Sequence, residues 1–136
     1  MNLQFAIAGA LALTAAAIHG GLGEAIVVSK LHTEGLFPTR FGGPKMTKLM
    51  IRVTWHVATL AFAVIGSAMA VCAPAGSTQT CTGVAQISAI SFASFALLAF
   101  GLAFAAQGAR APKLLLRHPG PLVFVLVATL AWWGQT

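Results

Sequence analysis

"LQFAIAGALALTAAAIHGGLGEAIVV", residues 3–28, is a predominantly apolar stretch in which His19 and Glu24 are the ionisable side chains. Its 26 residues exceed the roughly 20 that a helix needs to cross a bilayer core of about 30 Å. Polar and apolar residues do not alternate along it, as they do in the strands of a membrane barrel. The stretch therefore predicts a membrane-spanning helix, and it raises the question of why a segment in lipid carries two ionisable groups.

The whole chain has the composition of a membrane protein. Of its 136 residues, 58% are hydrophobic and 7% are charged, whereas soluble domains carry about 25% charged residues. So few charges cannot cover a water-facing surface, and we expect one integral membrane domain in contact with the lipid bilayer. The net charge of +6 does not indicate nucleic-acid binding, because the basic residues form no long run and no aromatic residues alternate with them.

Three further apolar segments follow the first, and together they predict an all-α fold, a polytopic bundle of four transmembrane helices. The predicted helices span approximately residues 3–28, 49–71, 84–106 and 119–134. The last segment is short, but a proline near its start can begin a helix without losing a needed N–H group. Trp132 and Trp133 near its end suit the aromatic belt of a membrane interface.

The basic side chains predict how the bundle is oriented. All eight Lys and Arg residues lie in or next to the segments 29–48 and 107–118, and the second loop has none. By the positive-inside rule these two segments are cytoplasmic. The N-terminus, the C-terminus and the second loop then face the periplasm.

Cys72 and Cys81 are the two cysteines of the chain, and both fall in the predicted second loop. Because the periplasm is oxidising, we expect them to form a disulfide that pins this loop. Two free thiols or a metal-binding pair are the alternatives, although the spacing is not a standard zinc spacing.

A second polar pair lies in "KLMIRVTWHVATLAF", residues 48–62, where Arg52 and His56 are four residues apart. The first two helices are consecutive and antiparallel, so we expect them to be neighbours. Counting about 1.5 Å per residue from the cytoplasmic boundary places Glu24 beside Arg52 and, deeper, His19 beside His56. Because a charge at the bilayer centre costs roughly 2.5–3.5 kcal/mol, we expect Glu24 and Arg52 to form an ion pair.

The spacing on the first helix presents an obstacle to this cluster. His19 and Glu24 are five residues apart, which separates them by about 140° around an ideal α-helix. Both can face the second helix only if the first is locally distorted. Gly20, Gly21 and Gly23 make such a distortion plausible, and they also permit close helix approach.

Three interpretations of the two histidines stay open. In the first, each is a polar link to a neighbouring helix. In the second, His19 and His56 are axial ligands of a haem b or a related porphyrin, Gly20 and Gly21 make room for it, and Trp55 packs against the ring. In the third, the four ionisable residues of the two helices form a proton or ion path.

An enzyme is a weaker interpretation. The chain contains neither a serine-hydrolase nor a zinc-protease motif, and we predict no catalytic residue. Ser88, Ser91 and Ser94 recur every third residue on the third helix, where small side chains more simply favour close packing.

The stretches "HGGLGE", residues 19–24, and "RVTWHVAT", residues 52–59, resemble a pattern in small uncharacterised bacterial four-span membrane proteins. The resemblance covers about the first half of the chain and implies a bacterial inner-membrane setting without implying an activity. We therefore predict a non-enzymatic accessory or structural subunit of a larger membrane complex, with other membrane-protein subunits as partners. The alternatives are a bis-histidine haem-b electron-transfer protein and a proton or ion conduit.

Overall fold

The computed structural model describes residues 1–38, 40, 42–76, 78–113 and 118–135. Within these ranges the protein is all-helical, as predicted, and has four main helices. These are α1 (Leu3–Val28), α2 (Pro44–Ala75), α3 (Gln79–Gln107) and α4 (Gly120–Trp133). Three of them are long and apolar enough to cross a membrane, α3 being extended by further helical turns to Lys113. The fourth has 14 residues and measures about 21 Å, which is less than a bilayer core.

Helices α2 and α3 extend beyond the apolar segments that predict them. Proline at position 44 begins α2, because its missing N–H group is not needed in a first helical turn. Gly76, at φ 70°, follows the last residue of α2, and Thr78 caps α3 by accepting the N–H of Cys81 at 3.2 Å. Both cysteines of the predicted second loop therefore lie in helical turns. Capping, not hydropathy, sets these ends.

Helices α1 and α2 are antiparallel neighbours over their whole length, as predicted. At one end the N–H of Asn2 donates to the carbonyl of Ala73 at 2.7 Å. At the other end Nζ of Lys48 donates to the carbonyl of Ser29 at 3.3 Å. The register between the two helices is therefore maintained from end to end.

The two ends of the bundle differ in chemistry. Asn2 Nδ2 donates to the carbonyl of Gly134 at 2.6 Å, and Asn2 also contacts Ala73, so the start of α1 and the end of α4 lie beside the end of α2. We call this the disulfide end, because Cys72 and Cys81 are bonded there, with Cα atoms 5.5 Å apart. The opposite end carries the basic segment 29–48 and is called the basic end.

The half of the bundle next to the disulfide end, called the dry half, contains the apolar core. Its most buried side chains include Phe5, Ala8, Ala12, Met69, Val127 and Ala131. Four phenylalanines close it at mid-height, with ring centroids 5.0 to 6.1 Å apart; this phenylalanine cluster comprises Phe62, Phe92, Phe95 and Phe124. Phe124 lies four residues after Gly120, the first residue of α4. Helix α4 therefore begins only about one turn from the cluster, on the side of the basic end.

Helices α1 and α2 cross closely in the dry half. A Cβ atom added at Gly9 would lie 2.9 Å from the carbonyl oxygen of Gly66, and one added at Gly66 would lie 3.0 Å from the backbone nitrogen of Leu13. The backbones therefore approach each other in a way that only glycine permits at these positions. Below the phenylalanine cluster the remaining part of the bundle, the polar half, contains the ionisable residues of α1 and α2.

Candidate functional site

Helix α1 changes its hydrogen-bonding pattern where the polar residues begin. Residues Leu3–Ala17 are α-helical, whereas Ile18–Leu22 and Glu24–Val28 form π-helical turns. The N–H of Ser29 bonds the carbonyl of Glu24 at 2.9 Å, a step of five residues. Because a π-turn links residues five apart, His19 and Glu24 can both face α2. The expected local distortion is therefore present, and it takes this form.

Two of the three glycines in this segment lie directly against α2. A Cβ atom added at Gly20 would lie 2.5 Å from Cγ2 of Thr59, and one added at Gly23 would collide with the indole of Trp55. Gly21 differs, since no described atom lies within 4 Å of a Cβ built there. Gly20 and Gly23 therefore allow close helix approach, whereas Gly21 faces outward.

The predicted ion pair is present and has a third member. Oε1 of Glu24 lies 2.7 Å from Nη2 of Arg52, and Oε2 lies 3.3 Å from Nε2 of His56. Both carboxylate oxygens have essentially no accessible surface. Arg52 and His56 are one turn apart on α2, so one buried acid faces two basic side chains on a single face of the helix.

The two histidines have different polar partners. His19 contacts Thr59, with Nδ1 2.9 Å from Oγ1, whereas His56 contacts Glu24. The Thr59 hydroxyl donates to the carbonyl of Trp55 at 3.2 Å, so its oxygen is placed to accept from an Nδ1–H of His19. The histidines therefore belong to two layers with different partners.

Aromatic rings enclose the His19 layer. The His19 ring stacks on Trp55 with centroids 4.1 Å apart and an interplanar angle of 11°, and it meets the edge of Phe62 at 5.4 Å. Nε1–H of Trp55 donates to the carbonyl of His19 at 2.8 Å, which satisfies a carbonyl within the π-helical segment. Trp55 therefore fixes both the ring and the backbone of His19.

A bis-histidine haem does not fit these contacts well. Nε2 of His19 is free of a described partner, but Nε2 of His56 faces Glu24. Gly20 packs on Thr59 and Gly21 faces outward, so neither opens a slot between the histidines. Trp55 is already stacked on His19.

The polar layers lead from the basic end to mid-height. Glu24, Arg52 and His56 form the outer layer, followed by the layer of His19 and Thr59. The next layer is the phenylalanine cluster, in which Phe62 and Phe92 are 3% and 0% exposed. A proton or ion path through this chain alone would have to cross that apolar layer.

The outer polar layer is partly open to the surroundings of the bundle. The Arg52 side chain is 55% exposed and that of His56 is 43% exposed, whereas that of Glu24 is 18% exposed. We call this outward surface the charged flank. On the same turns of α1 and α2 lie exposed apolar side chains, namely Leu22, Ile26, Leu49, Val53 and Leu60. The charged flank is thus a small polar patch surrounded by exposed apolar side chains that suit contact with lipid.

The remaining predicted residues have structural contacts. Cys72 and Cys81 form the predicted disulfide. Ser88 is buried and donates to the carbonyl of Val84 at 2.7 Å, and Ser94 donates to the carbonyl of Ile90 at 2.8 Å. These bonds lie within α3 and suit packing.

Sequence reasoning missed Thr59 and Phe62, and it did not give the contact of Gly23 with Trp55. The signal for Thr59 was available, because it follows Trp55 by four residues and therefore shares its face of the helix. The contacts of Phe62 and Gly23 depend on how the helices cross, which the pattern of residues does not specify.

Comparisons with known proteins do not assign this chain to a family. No protein-family model matches it, and neither does any curated protein or solved structure. The contacts and exposure of the polar half are therefore the basis on which its function is argued.

Proposed function

We propose that this chain is a small bacterial inner-membrane protein that acts as a non-enzymatic accessory or structural subunit of a larger membrane complex, and that it docks through the charged flank. The observation that carries the proposal is the exposure of Arg52 and His56, 55% and 43%, within an apolar surface. Other membrane-protein subunits would cover this surface.

The depth of the charged flank makes exposure to lipid costly. Arg52 and His56 precede Phe62 by ten and six residues on one helix, so they lie about 15 and 9 Å from the phenylalanine cluster. Charged side chains cost roughly 2.5–3.5 kcal/mol at a helix centre, and they usually face the interior of a bundle or a partner. Glu24 offsets part of this cost, and a covering subunit would offset more.

For the orientation, we propose that both termini and the disulfide lie in the periplasm and that segments 29–48 and 107–118 lie in the cytoplasm. The basic residues at one end support this through the positive-inside rule, and the disulfide supports it through the redox chemistry of the two compartments. We also propose that α4 completes a fourth crossing together with residues that precede it. Exposed Trp132 and Trp133 at the disulfide end suit an interfacial belt.

Site-specific photocrosslinking in native membranes tests the proposal. A photoreactive phenylalanine analogue replaces Leu60, one turn from His56 on the charged flank, or Leu98 on α3 as a matched exposed control. We expect Leu60 to crosslink to a second membrane protein, and we expect the Glu24→Leu/Arg52→Leu double variant to lose that product. A wild-type chain that remains monomeric in a mild detergent and forms no product at Leu60 would contradict the proposal.

An absorption spectrum of the same purified protein, reduced minus oxidised, tests the alternative in which the chain binds haem. A haem band that disappears in both His19→Ala and His56→Ala would replace the proposed subunit role with electron transfer. We expect no such band.

A further inference from the structure

We infer that the partner presents a carboxylate, carried on one of its own transmembrane helices, to Arg52 and His56. The inference rests on the proposed function and adds the chemistry of the partner. It follows from an imbalance between donors and acceptors on the charged flank.

The donors of the charged flank outnumber its acceptors. The guanidinium of Arg52 has five N–H donors, and among the described residues its ion-pair partner is Oε1 of Glu24 alone. The Nδ1 atom of His56 has no partner in the described part of the chain, while its Nε2 faces Oε2 of Glu24. Both Glu24 oxygens are buried, so they cannot accept from outside. The charged flank therefore presents N–H donors to its surroundings, while the carboxylate of Glu24 is buried against α2.

A carboxylate is the acceptor that best suits these donors. Hydrogen bonds from a guanidinium to a carboxylate are about twice as strong as bonds to a neutral acceptor, and two parallel N–H donors can meet the two carboxylate oxygens. The Arg52 side chain is 55% exposed and contacts Glu24 through Nη2, so a second carboxylate can accept from its outward N–H groups.

The depth of these donors favours a helix over a lipid phosphate. At the basic end, Nζ of Lys48 donates to the carbonyl of Ser29. We take Lys48 as the reference level for the basic end. Arg52 and His56 follow it by four and eight residues, about 6 and 12 Å further along α2. Lipid phosphates lie outside the hydrocarbon core, whereas a side chain on a transmembrane helix can lie at any depth.

Designed transmembrane peptides test this chemistry without altering the protein. The full chain, with a fluorophore beyond its C-terminus, is reconstituted in phosphatidylcholine vesicles with acceptor-labelled Leu/Ala helices. One peptide carries a single Glu at the depth between Arg52 and His56, a second carries Gln there, a third carries Glu in the opposite half, and a fourth has no polar residue. Energy transfer reports binding.

We expect the depth-matched Glu peptide to bind about tenfold more tightly than the apolar peptide, since interhelical polar contacts contribute about 1–2 kcal/mol in model peptides. The Gln peptide should show a smaller gain, and the Glu peptide of the opposite half should show none. Arg52→Gln should remove the preference, whereas Lys48→Gln, one turn away, should retain it.

Equal binding of all four peptides would overturn the inference. If Leu60 still crosslinked to a native partner in that case, the proposed function would stand and only the carboxylate would be wrong. If the matched peptide bound tightly and no native partner existed, the inference about chemistry would hold and the proposed function would fail.

Discussion

The dry half and the polar half of the bundle are held together by different forces. In the dry half, glycine and alanine let the backbones approach, and Phe5, Met69 and Phe92 fill the space with 1%, 0% and 0% exposure. In the polar half, α1 and α2 are joined by the ion pair of Glu24 and Arg52 and by the bonds of the His19 layer. One half depends on shape, and the other depends on matched polar pairs.

The difference shows which interactions can stabilise a helical bundle in lipid. Apolar helices gain no hydrophobic free energy by meeting each other in lipid, so the dry half must rely on dispersion and close contact. Polar groups lose a great deal if left in lipid, so the polar half is specified by what each group must contact. Helix α1 marks the boundary, because its α-helical part ends at Ala17 and its π-helical part begins at Ile18.

The largest expected effect comes from removing the acid of the polar half. Glu24→Leu leaves Arg52 without its carboxylate, and we expect the free energy of unfolding to fall by about 2–3 kcal/mol. Unfolding in mixed SDS micelles, followed by circular dichroism, measures it. The Glu24→Leu/Arg52→Leu double variant should recover most of the loss, because an apolar pair can replace an ion pair. Equal losses in the single and double variants would show that the pair is not what holds this half together.

The next largest effect belongs to the dry half. Phe92→Ala should leave a cavity of about 100 Å³, which costs about 2 kcal/mol at roughly 24 cal/mol per Å³. The same SDS titration measures the loss. Phe104→Ala on the same helix, where the side chain is 51% exposed, serves as the control and should change stability by less than about 0.5 kcal/mol. A Phe92 variant as stable as the control would mean that packing does not decide the dry half.

A pair of glycine substitutions compares the two halves directly. A methyl group at Gly9 would meet the backbone of Gly66 at 2.9 Å, so Gly9→Ala should cost about 1.5 kcal/mol through overpacking. Gly21→Ala in the polar half meets open space and should leave stability within about 0.5 kcal/mol of wild type. Thermal unfolding in detergent checks both. Similar losses at the two positions would remove the distinction between a tight and an open helix face.

The smallest expected effect concerns one hydrogen bond. Trp55→Phe keeps a ring over His19 but removes the Nε1–H that donates to its carbonyl, and we expect a cost of about 0.6 kcal/mol. Amide hydrogen exchange should accelerate in residues 18–28 and stay unchanged in residues 3–17. Trp132→Phe, at an exposed position, is the control. Acceleration along the whole of α1 would mean that the π-helical segment does not open as a separate unit.

Much of the site was predictable because membrane depth constrains it. Glu24 and Arg52 could be matched by counting residues from the ends of two antiparallel helices, since each helix rises by a fixed step. The same count did not give the polar partners of His19 and His56, because depth alone does not say which way a side chain turns. The π-helical turns decide that direction, and three glycines near His19 indicated a distortion without defining its form.

The sequence alone predicted an all-helical chain, and its apolar length predicted the three helices that are long and apolar enough to cross a membrane, because both follow from the solvation of backbone and side chains. It also predicted the disulfide, since Cys72 and Cys81 are the two cysteines present, and the structure confirms the bond. Only the tertiary structure decided that Thr59 and Trp55 hold His19, that His56 joins Glu24, and that Arg52 remains half exposed. Those outcomes depend on how two helices rotate and cross, and that rotation is set by close backbone contact at Gly9 and Gly66 and by the packing of Gly20 on the Thr59 side chain.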